Sequence, residues 1–145
     1  MTLELTDSLI NALADYFDCD IEDIEYGWDS TYCTLYLGGK EYLVCTDEIA
    51  DEKVKEYIAD TLWAFNASFL SVMTDLPEEV FEALSENCEN GNEPIRKLID
   101  KTCGFDDFVH EAVAADGRGH FLAGYDGKEI EIDVDGETYY IYRNS

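Results

Sequence analysis

An excess of acidic residues is the feature that most limits what this chain can form. Its 145 residues include 34 Asp and Glu but 9 Lys and Arg, which gives a formal net charge of −25. Residues 1–60 carry 16 acidic and 3 basic side chains, and residues 61–145 carry 18 and 6. The negative charges of a compact domain with this composition repel one another, and this repulsion lowers the stability of the fold. Two explanations stay open: adaptation to a salty cytoplasm, and a negative surface that a basic partner recognises.

The hydrophobic content indicates a folded domain and not a disordered acidic tail. Hydrophobic residues make up 46% of the sequence and include 10 Tyr, 7 Phe and 2 Trp, whereas acidic tails are poor in aromatic residues. The length suits one hydrophobic core. We therefore expect a single acidic domain over residues 1–145.

The composition disfavours several classes of function. The chain begins without the basic stretch of a secretory signal, and no apolar run approaches the ~18 residues that a membrane span needs. A negative surface is repelled by nucleic acid and by acidic lipid headgroups. We expect a cytoplasmic protein that has no cofactor and that binds a basic protein instead of nucleic acid or membrane. The cysteines form no CxxC pair, which indicates reduced thiols at Cys19, Cys33, Cys45, Cys88 and Cys103.

Hydrophobic periodicity predicts several helices. Residues 5–17 form the first, with Thr6 or Asp7 as its N-cap, and residues 47–66 form the longest. Pro77 and Pro94 mark the first turns of two more, and residues 105–115 form another. The inward face of the longest helix is predicted to carry Val54, Tyr57, Ile58, Thr61, Leu62 and Phe65.

Aromatic and β-branched residues predict strands toward both ends of the chain. Near the start these are residues 21–26, 32–37 and 41–45, and near the end they are residues 121–125, 129–133 and 139–142. The turn sequences between them are Gly38-Gly39, Asp126-Gly127 and Asp135-Gly136. This order predicts an α+β fold in which antiparallel β-hairpins flank a central set of α-helices.

An acidic row follows the longest predicted helix. Glu48, Glu52, Glu56 and Asp60 are each four residues apart, which places their carboxylates on one face, opposite the apolar face, at ~6 Å intervals. Such a row presents negative charge at roughly nucleotide-like spacing to a basic groove. Trp63 projects in nearly the same direction and would serve as an interface anchor. The alternative is a solvated acidic face, with Trp63 packed under a neighbouring segment.

The segment Asp116-Gly117-Arg118-Gly119-His120 is a second candidate site. Its glycines would let the backbone approach a ligand, so that Arg118 and His120 could form a phosphate-binding or acid–base site. The segment has no GxGxxG or Walker pattern. The other interpretation is a helix-to-strand turn in which Arg118 pairs with nearby carboxylates.

Two further patterns are too weak to predict a site. Glu131, Asp133, Asp135 and Gly136 match the start of a calcium-binding loop, but Tyr142 stands where the final Glu would lie, so a hairpin turn is predicted. The cysteines lack the local sequence of a nucleophile that works with His. We therefore predict no catalytic residue and no metal ligand.

Four segments between residue 62 and the end of the chain carry a family resemblance. They are residues 62–70 (LWAFNASFL), 116–122 (DGRGHFL), 125–127 (YDG) and 139–143 (YYIYR). These segments resemble a family of small acidic proteins encoded by phages and mobile elements, over roughly residues 45–145. The family has no described activity, so the resemblance implies a genomic setting and no functional residue. Small acidic phage proteins often resemble DNA mimics that block restriction enzymes or CRISPR effectors.

Three hypotheses follow. The leading one is a phage-type inhibitor whose acidic row and Trp63 occupy the basic nucleic-acid groove of a bacterial defence effector. The second is a regulatory partner of a basic protein that does not imitate nucleic acid and whose contact depends on a few aromatic residues. The third is a small ligand-binding or enzymatic domain around Arg118 and His120, with a concave pocket.

Overall fold

The computed structural model describes residues 7–28 and 32–145, and this part of the chain forms seven α-helices and a five-stranded antiparallel sheet. The helices are α1 (Asp7–Phe17), α2 (Asp47–Asp60), α3 (Ala67–Thr74), α4 (Glu78–Ser85), α5 (Asn92–Lys101), α6 (Phe105–Asp116) and α7 (Arg118–Leu122). The strands are β1 (Glu25–Trp28), β2 (Tyr32–Leu37), β3 (Lys40–Thr46), β4 (Ile130–Val134) and β5 (Glu137–Arg143). This order confirms the predicted α+β class, in which hairpins flank a set of helices.

The described residues cluster in two compact units. The first contains the chain up to Lys53 together with Arg118–Ser145, and the second contains Val54–Gly117. The sheet, α1 and α7 belong to the first unit, and α3 to α6 belong to the second. Helix α2 begins in the first unit and ends in the second.

The sheet joins the two ends of the chain. Its strand order is β1-β2-β3-β5-β4, so β3 at the centre pairs with β5 near the C-terminus. The β2–β3 and β4–β5 hairpins turn where the sequence predicts. Gly38 and Gly39 have φ values of 57° and 81°, and Asp135 and Gly136 have 52° and 84°. A tight two-residue hairpin turn of type I′ requires positive φ at both positions.

Both faces of the sheet carry buried side chains, because successive residues of a strand point to opposite sides. On one face α1 packs against the strands, and this core includes Leu9, Leu13, Cys33, Leu35, Val44 and Ile141. On the other face the start of α2 and the residue after α7 pack against the strands, and this core consists of Leu43, Cys45, Ile49, Ala50, Ala123 and Tyr142. Hydrophobic burial thus holds the beginning of α2 on the sheet.

The second unit has buried side chains of its own. They come from the end of α2, from the residues after it and from α3 to α6, and include Ile58, Leu62, Leu70, Phe81, Ile95, Ile99 and Phe108. The rings of Phe65 and Phe69 pack on Phe108, with centroid distances of 5.3 and 5.4 Å. The helices of this unit are therefore organised around apolar and aromatic contacts.

The predicted strand at residues 121–125 is wrong. Arg118–Leu122 forms the short helix α7, and a turn follows it. The apolar residues Phe121 and Ala123 are buried by packing against the sheet, which in a sequence looks the same as burial of a strand. Asp126-Gly127 is a turn that leads into β4 and does not join two strands. The Asp126 carboxylate accepts a hydrogen bond from the Lys128 amide at 3.0 Å.

The longest helix ends six residues earlier than predicted. It stops at Asp60, and Thr61 leaves helical geometry at φ −124° and ψ 18°. The Asn92 side-chain amide donates to the Asp60 carbonyl at 2.6 Å, and its oxygen accepts from the Trp63 amide at 2.9 Å. Asn92 thereby satisfies backbone groups that the helix end leaves unpaired. The prediction that Tyr57 points inward is also wrong, because this residue is 47% exposed.

Two other differences concern short elements. Residues 21–26 begin with a 3₁₀ turn at Ile21–Asp23, and the strand starts only at Glu25. Helix α3 was not predicted, although Asn66 caps it by accepting from the Ser68 amide at 2.8 Å. The predicted helix start at residue 5 and the cap at Thr6 lie outside the described residues.

Candidate protein-interaction surface

Most cationic side chains are engaged within their own unit. In the first unit, the Lys53 ammonium lies 3.9 Å from the centre of the Tyr32 ring. In the second, Lys55 pairs with Asp106 at 2.9 Å, and this hydrogen bond lowers the pKa of the Asp106 carboxyl. Further contacts of this kind are Arg96–Asp100, Lys97–Glu93, Arg96 on the Phe105 ring and Arg143 on the Tyr125 ring. Lys55, Arg96 and Lys97 are neutralised by carboxylates. Lys53 and Arg143 lie on aromatic rings and keep their charge.

The first two turns of α2 carry two neighbouring pairs of carboxylates. We call Glu48 and Glu52 the outer pair, and Asp47 and Asp51 the inner pair. Both outer residues are exposed, and among the described residues no Lys or Arg pairs with either. The inner pair contacts Arg118, whose Nη1 lies 2.8 Å from Asp47 Oδ1 and 3.1 Å from Asp51 Oδ1. The two pairs thus differ in their surroundings although they share the same turns.

The remaining residues of the acidic row, Glu56 and Asp60, lie in the last two turns of α2 and are exposed. The spacing of four residues therefore places all four carboxylates of the row at the surface. Helical spacing separates this row from the inner pair, because Asp47 and Asp51 lie ~100° around the helix from Glu48 and Glu52, toward the apolar face. It does not identify the cation that the inner pair contacts.

Arg118 is the centre of a polar cluster on the sheet of the first unit. Its side chain is 11% exposed, its Nε donates to Glu129 Oε1 at 2.7 Å, and its guanidinium carbon lies 4.5 Å from the centre of the Tyr140 ring. The Tyr142 hydroxyl donates to the same Glu129 oxygen. Burial alone would lower the pKa of Arg118, but Tyr142 and the carboxylates of Asp47 and Glu129 raise that pKa above its ordinary value. The guanidinium therefore stays charged.

This cluster agrees with the structural interpretation of the segment around Arg118. Nε and Nη1 of the guanidinium are taken up by carboxylates, which reduces the donors that remain for a phosphate. His120 is exposed, and its ring meets the Phe121 ring edge-on at 5.0 Å. Arg118 pairs with nearby carboxylates as that interpretation predicts, although the segment is a short helix and not a turn into a strand.

Trp63 is half-buried and lies beyond the end of α2. The projection of Trp63 along the acidic row assumed a continuous helix, whereas α2 ends at Asp60. The Trp63 amide is tied to Asn92, and its Cβ lies 3.7 Å from the place that a Cβ on Gly91 would take. This is the packing against a neighbouring segment that the alternative interpretation describes.

The buried thiols of the first unit are held in their protonated form. Burial raises the pKa of Cys33 to about 11 and that of Cys45 to about 12. The pKa of Cys19 is raised by desolvation and then by the carboxylates of Asp23, Asp20 and Asp18. A protonated thiol is a weak nucleophile and a weak metal ligand.

The acidic hairpin near the C-terminus has the predicted turn at Asp135-Gly136. The Thr138 hydroxyl donates to Asp133 Oδ1 at 2.7 Å, which binds one carboxylate within the hairpin. Within residues 7–28 and 32–145, no three His, Cys, Asp or Glu side chains are grouped as metal ligands would be.

An open groove lies where the end of α1 meets the turn that follows it. It has a volume of about 520 Å³ and is lined by Asn11, Ala14, Asp15, Cys19, Asp20, Ile21 and Glu22. The sequence did not single out these residues, because they come from two consecutive elements with no shared spacing. The lining is acidic like the rest of the surface.

No protein family, characterised protein or solved structure matches this chain. In the described part of the chain, no helix has both the length and the apolar character that crossing a membrane requires.

Proposed function

We propose that this protein is a phage-type inhibitor that binds the basic nucleic-acid-binding surface of a bacterial defence effector, a CRISPR or restriction nuclease, by imitating the charge of DNA. The observation that carries the proposal is the exposed acidic row on α2, in a chain of net charge −25 whose cations are mostly engaged with their own neighbours. A groove that holds phosphate groups attracts such a surface over long range. The inhibitor and the nucleic acid would compete for this groove in the host cytoplasm.

The mechanism needs no catalytic residue and no cofactor. Affinity comes from many charge contacts between carboxylates and the Lys and Arg side chains of the target, so added salt weakens it. The outer pair is the part of the row best suited to this role, since both carboxylates are exposed and neither is neutralised by a described cation. The phage setting rests on the resemblance of residues 45–145 alone.

The test is DNA cleavage by a panel of purified CRISPR and restriction nucleases, with and without the protein. We expect the wild-type chain to inhibit at least one nuclease, and an excess of unrelated DNA to displace it. Reversing the outer pair with E48K/E52K should weaken inhibition by about tenfold or more, because attraction becomes repulsion at the contact. Inhibition that survives this double variant contradicts the proposal.

The matched control is E82K/E86K, which changes Glu82 in α4 and Glu86 directly after it. Both residues are exposed, are four positions apart and lie in the second unit, and their reversal changes the net charge by the same amount. We expect this variant to keep inhibition within about threefold of wild type, because only the long-range attraction changes. An equal loss in both variants would mean that total charge, and not the row on α2, determines binding.

Exposed tyrosines favour a second candidate function, a regulatory partner of a basic protein without mimicry. Tyr16, Tyr26 and Tyr36 of the first unit are 47%, 50% and 44% exposed, and tyrosine is a frequent interface anchor. In this case Y16S/Y26S would abolish binding, whereas E48K/E52K would not. The same two variants therefore decide between the candidates.

A further inference from the structure

The two pairs of carboxylates on the first turns of α2 have different surroundings, because Arg118 contacts the inner pair and not the outer pair. The inner pair, Asp47 and Asp51, contacts Arg118 at 2.8 and 3.1 Å, and the Asp47 carbonyl also accepts from Nη1 at 3.2 Å. The outer pair is one residue further along the chain in each turn. Neighbouring residues are ~100° apart around a helix, so an orientation that is fixed for one pair is fixed for the other.

The other side of Arg118 is anchored to the C-terminal part of the first unit. Nε is bound to Glu129, which also accepts from the Tyr142 hydroxyl, and the guanidinium lies on the Tyr140 ring. Tyr140 and Tyr142 are neighbours on β5, which pairs directly with β3. The guanidinium is thus a bridge between the sheet and the first two turns of α2. Its planar fork holds Glu129 and the inner pair in a fixed geometry, which the rotatable donors of a lysine ammonium do not provide.

We infer that Arg118 is a positioning residue for the outer pair: by binding Asp47 and Asp51 it fixes the rotation of α2 about its axis, so that Glu48 and Glu52 face a basic partner. Apolar contacts of Ile49 and Ala50 hold the helix on the sheet, but apolar contacts are not directional. Without Arg118, the inner pair and Glu129 would repel one another and would no longer fix the orientation. The inference rests on the proposed function for the partner-facing role of the outer pair.

The first test is amide hydrogen exchange in R118Q. We expect exchange in the first two turns of α2 to rise by about tenfold or more relative to wild type, while amides of β3 and β5 keep their protection. R143Q is the matched control, because Arg143 lies in the same unit and also stacks on a tyrosine, but contacts no residue of α2 in the described structure. Unchanged exchange in R118Q, or an equal rise in R143Q, overturns the inference.

The second test separates positioning from charge balance. R118Q should weaken nuclease inhibition by about tenfold. Adding D47N/D51N to R118Q removes the repulsion between the inner pair and Glu129 but does not restore the bridge between the sheet and α2. Thermal stability should therefore recover, while inhibition stays low. Recovery of inhibition together with stability would show that Arg118 serves charge balance only.

Failure of the inference and failure of the proposed function give different results. If E48K/E52K loses inhibition and R118Q keeps it, the acidic row acts as proposed and Arg118 does not position it. If the wild-type chain inhibits no nuclease, the proposed function falls and with it the partner-facing role. Hydrogen exchange then still decides whether Arg118 orients α2.

Discussion

Gly119 is a position where the backbone leaves no room for a side chain. An added Cβ would lie 2.5 Å from the Gly127 carbonyl oxygen and 2.9 Å from the Glu129 amide nitrogen. We expect G119A to lower the free energy of unfolding by about 2 kcal/mol, because overpacking against backbone outweighs the gain of up to ~1 kcal/mol from helix propensity. Urea denaturation measures the change. G124A is the control, because a Cβ added at Gly124 would have its nearest contact at 4.0 Å. An equal loss of stability in G124A would show that the close approach at Gly119 is not the cause.

Cys33 and Cys45 make the fold sensitive to alkaline pH. Burial raises their pKa values from an ordinary 9.0 to about 11 and about 12. Above pH 9 the unfolded chain loses these protons while the folded chain keeps them, so the unfolded state is favoured. We expect the free energy of unfolding to fall by up to about 1.4 kcal/mol per pH unit for each thiol across this window. Urea unfolding at several alkaline pH values tests this, and a free energy that stays constant or rises with pH contradicts it.

Removing the charges of the outer pair and removing those of the inner pair should change the stability of the protein by different amounts. E48Q/E52Q removes a repulsive pair but also a favourable charge near the helix start, so we expect a change within about 0.5 kcal/mol. D47N/D51N removes partners of a mostly buried guanidinium. Because Asp47 and Asp51 are 64% and 63% exposed, solvent screening limits the expected loss to about 1 to 2 kcal/mol. Equal effects in thermal denaturation would contradict a specific role for Arg118.

Local sequence was sufficient to predict elements that local interactions define. Gly38-Gly39 and Asp135-Gly136 supply the positive φ values of their turns, and both hairpins form where they were expected. The start of α2 was predicted correctly as well, since acidic residues are favourable in a first helical turn. These features need only neighbouring residues to form.

Elements that depend on distant contacts were predicted incorrectly. The end of α2 is set by Asn92, which is 32 residues from the Asp60 carbonyl it binds. Residues 121–125 are apolar enough for a strand, but their burial comes from packing of α7 and the residue after it against the sheet. Periodicity records that a residue is buried and not which element buries it.

In the candidate site, too, the features set by local sequence were predicted and those set by distant contacts were not. Helical spacing correctly places the carboxylates of the acidic row at the surface, because this follows from position on one helix. The same spacing sets Asp47 and Asp51 ~100° around the helix from the row, but it does not identify their partner, because Arg118 is 71 and 67 residues away along the chain. Helical spacing does not apply to Trp63, because α2 ends at Asp60.

Across the whole molecule, neither unit neutralises its own charge. The first unit has 20 acidic and 5 basic residues in its sequence, and the second has 14 and 4. Since acidic residues outnumber basic ones in both units, the carboxylates in excess repel one another throughout the chain. This repulsion lowers the stability of each unit and at the same time produces the field that attracts a basic partner.

Salt should therefore change stability and inhibition in opposite directions. From about 0.01 M to about 1 M NaCl the screening length falls from ~30 Å to ~3 Å, so self-repulsion and attraction to a target both weaken. We expect the thermal midpoint to rise by several degrees, with most of the rise below about 0.3 M, while nuclease inhibition declines over the same range. Thermal melts and cleavage assays in the same buffers measure the two effects. A midpoint that falls with salt, or inhibition that is unaffected by it, contradicts the role given to charge.

The same titration distinguishes mimicry from adaptation to a salty cytoplasm. If the acidity serves a basic partner, screening relieves the repulsion and the midpoint reaches a plateau once the screening length is shorter than the ~6 Å between neighbouring carboxylates on α2. An adapted protein needs molar salt for its fold, so its midpoint would continue to rise in KCl well beyond about 1 M. We expect the plateau. E48K/E52K should show a smaller total rise than wild type, because part of the repulsion is already removed. A continued rise in both proteins would favour adaptation to salt.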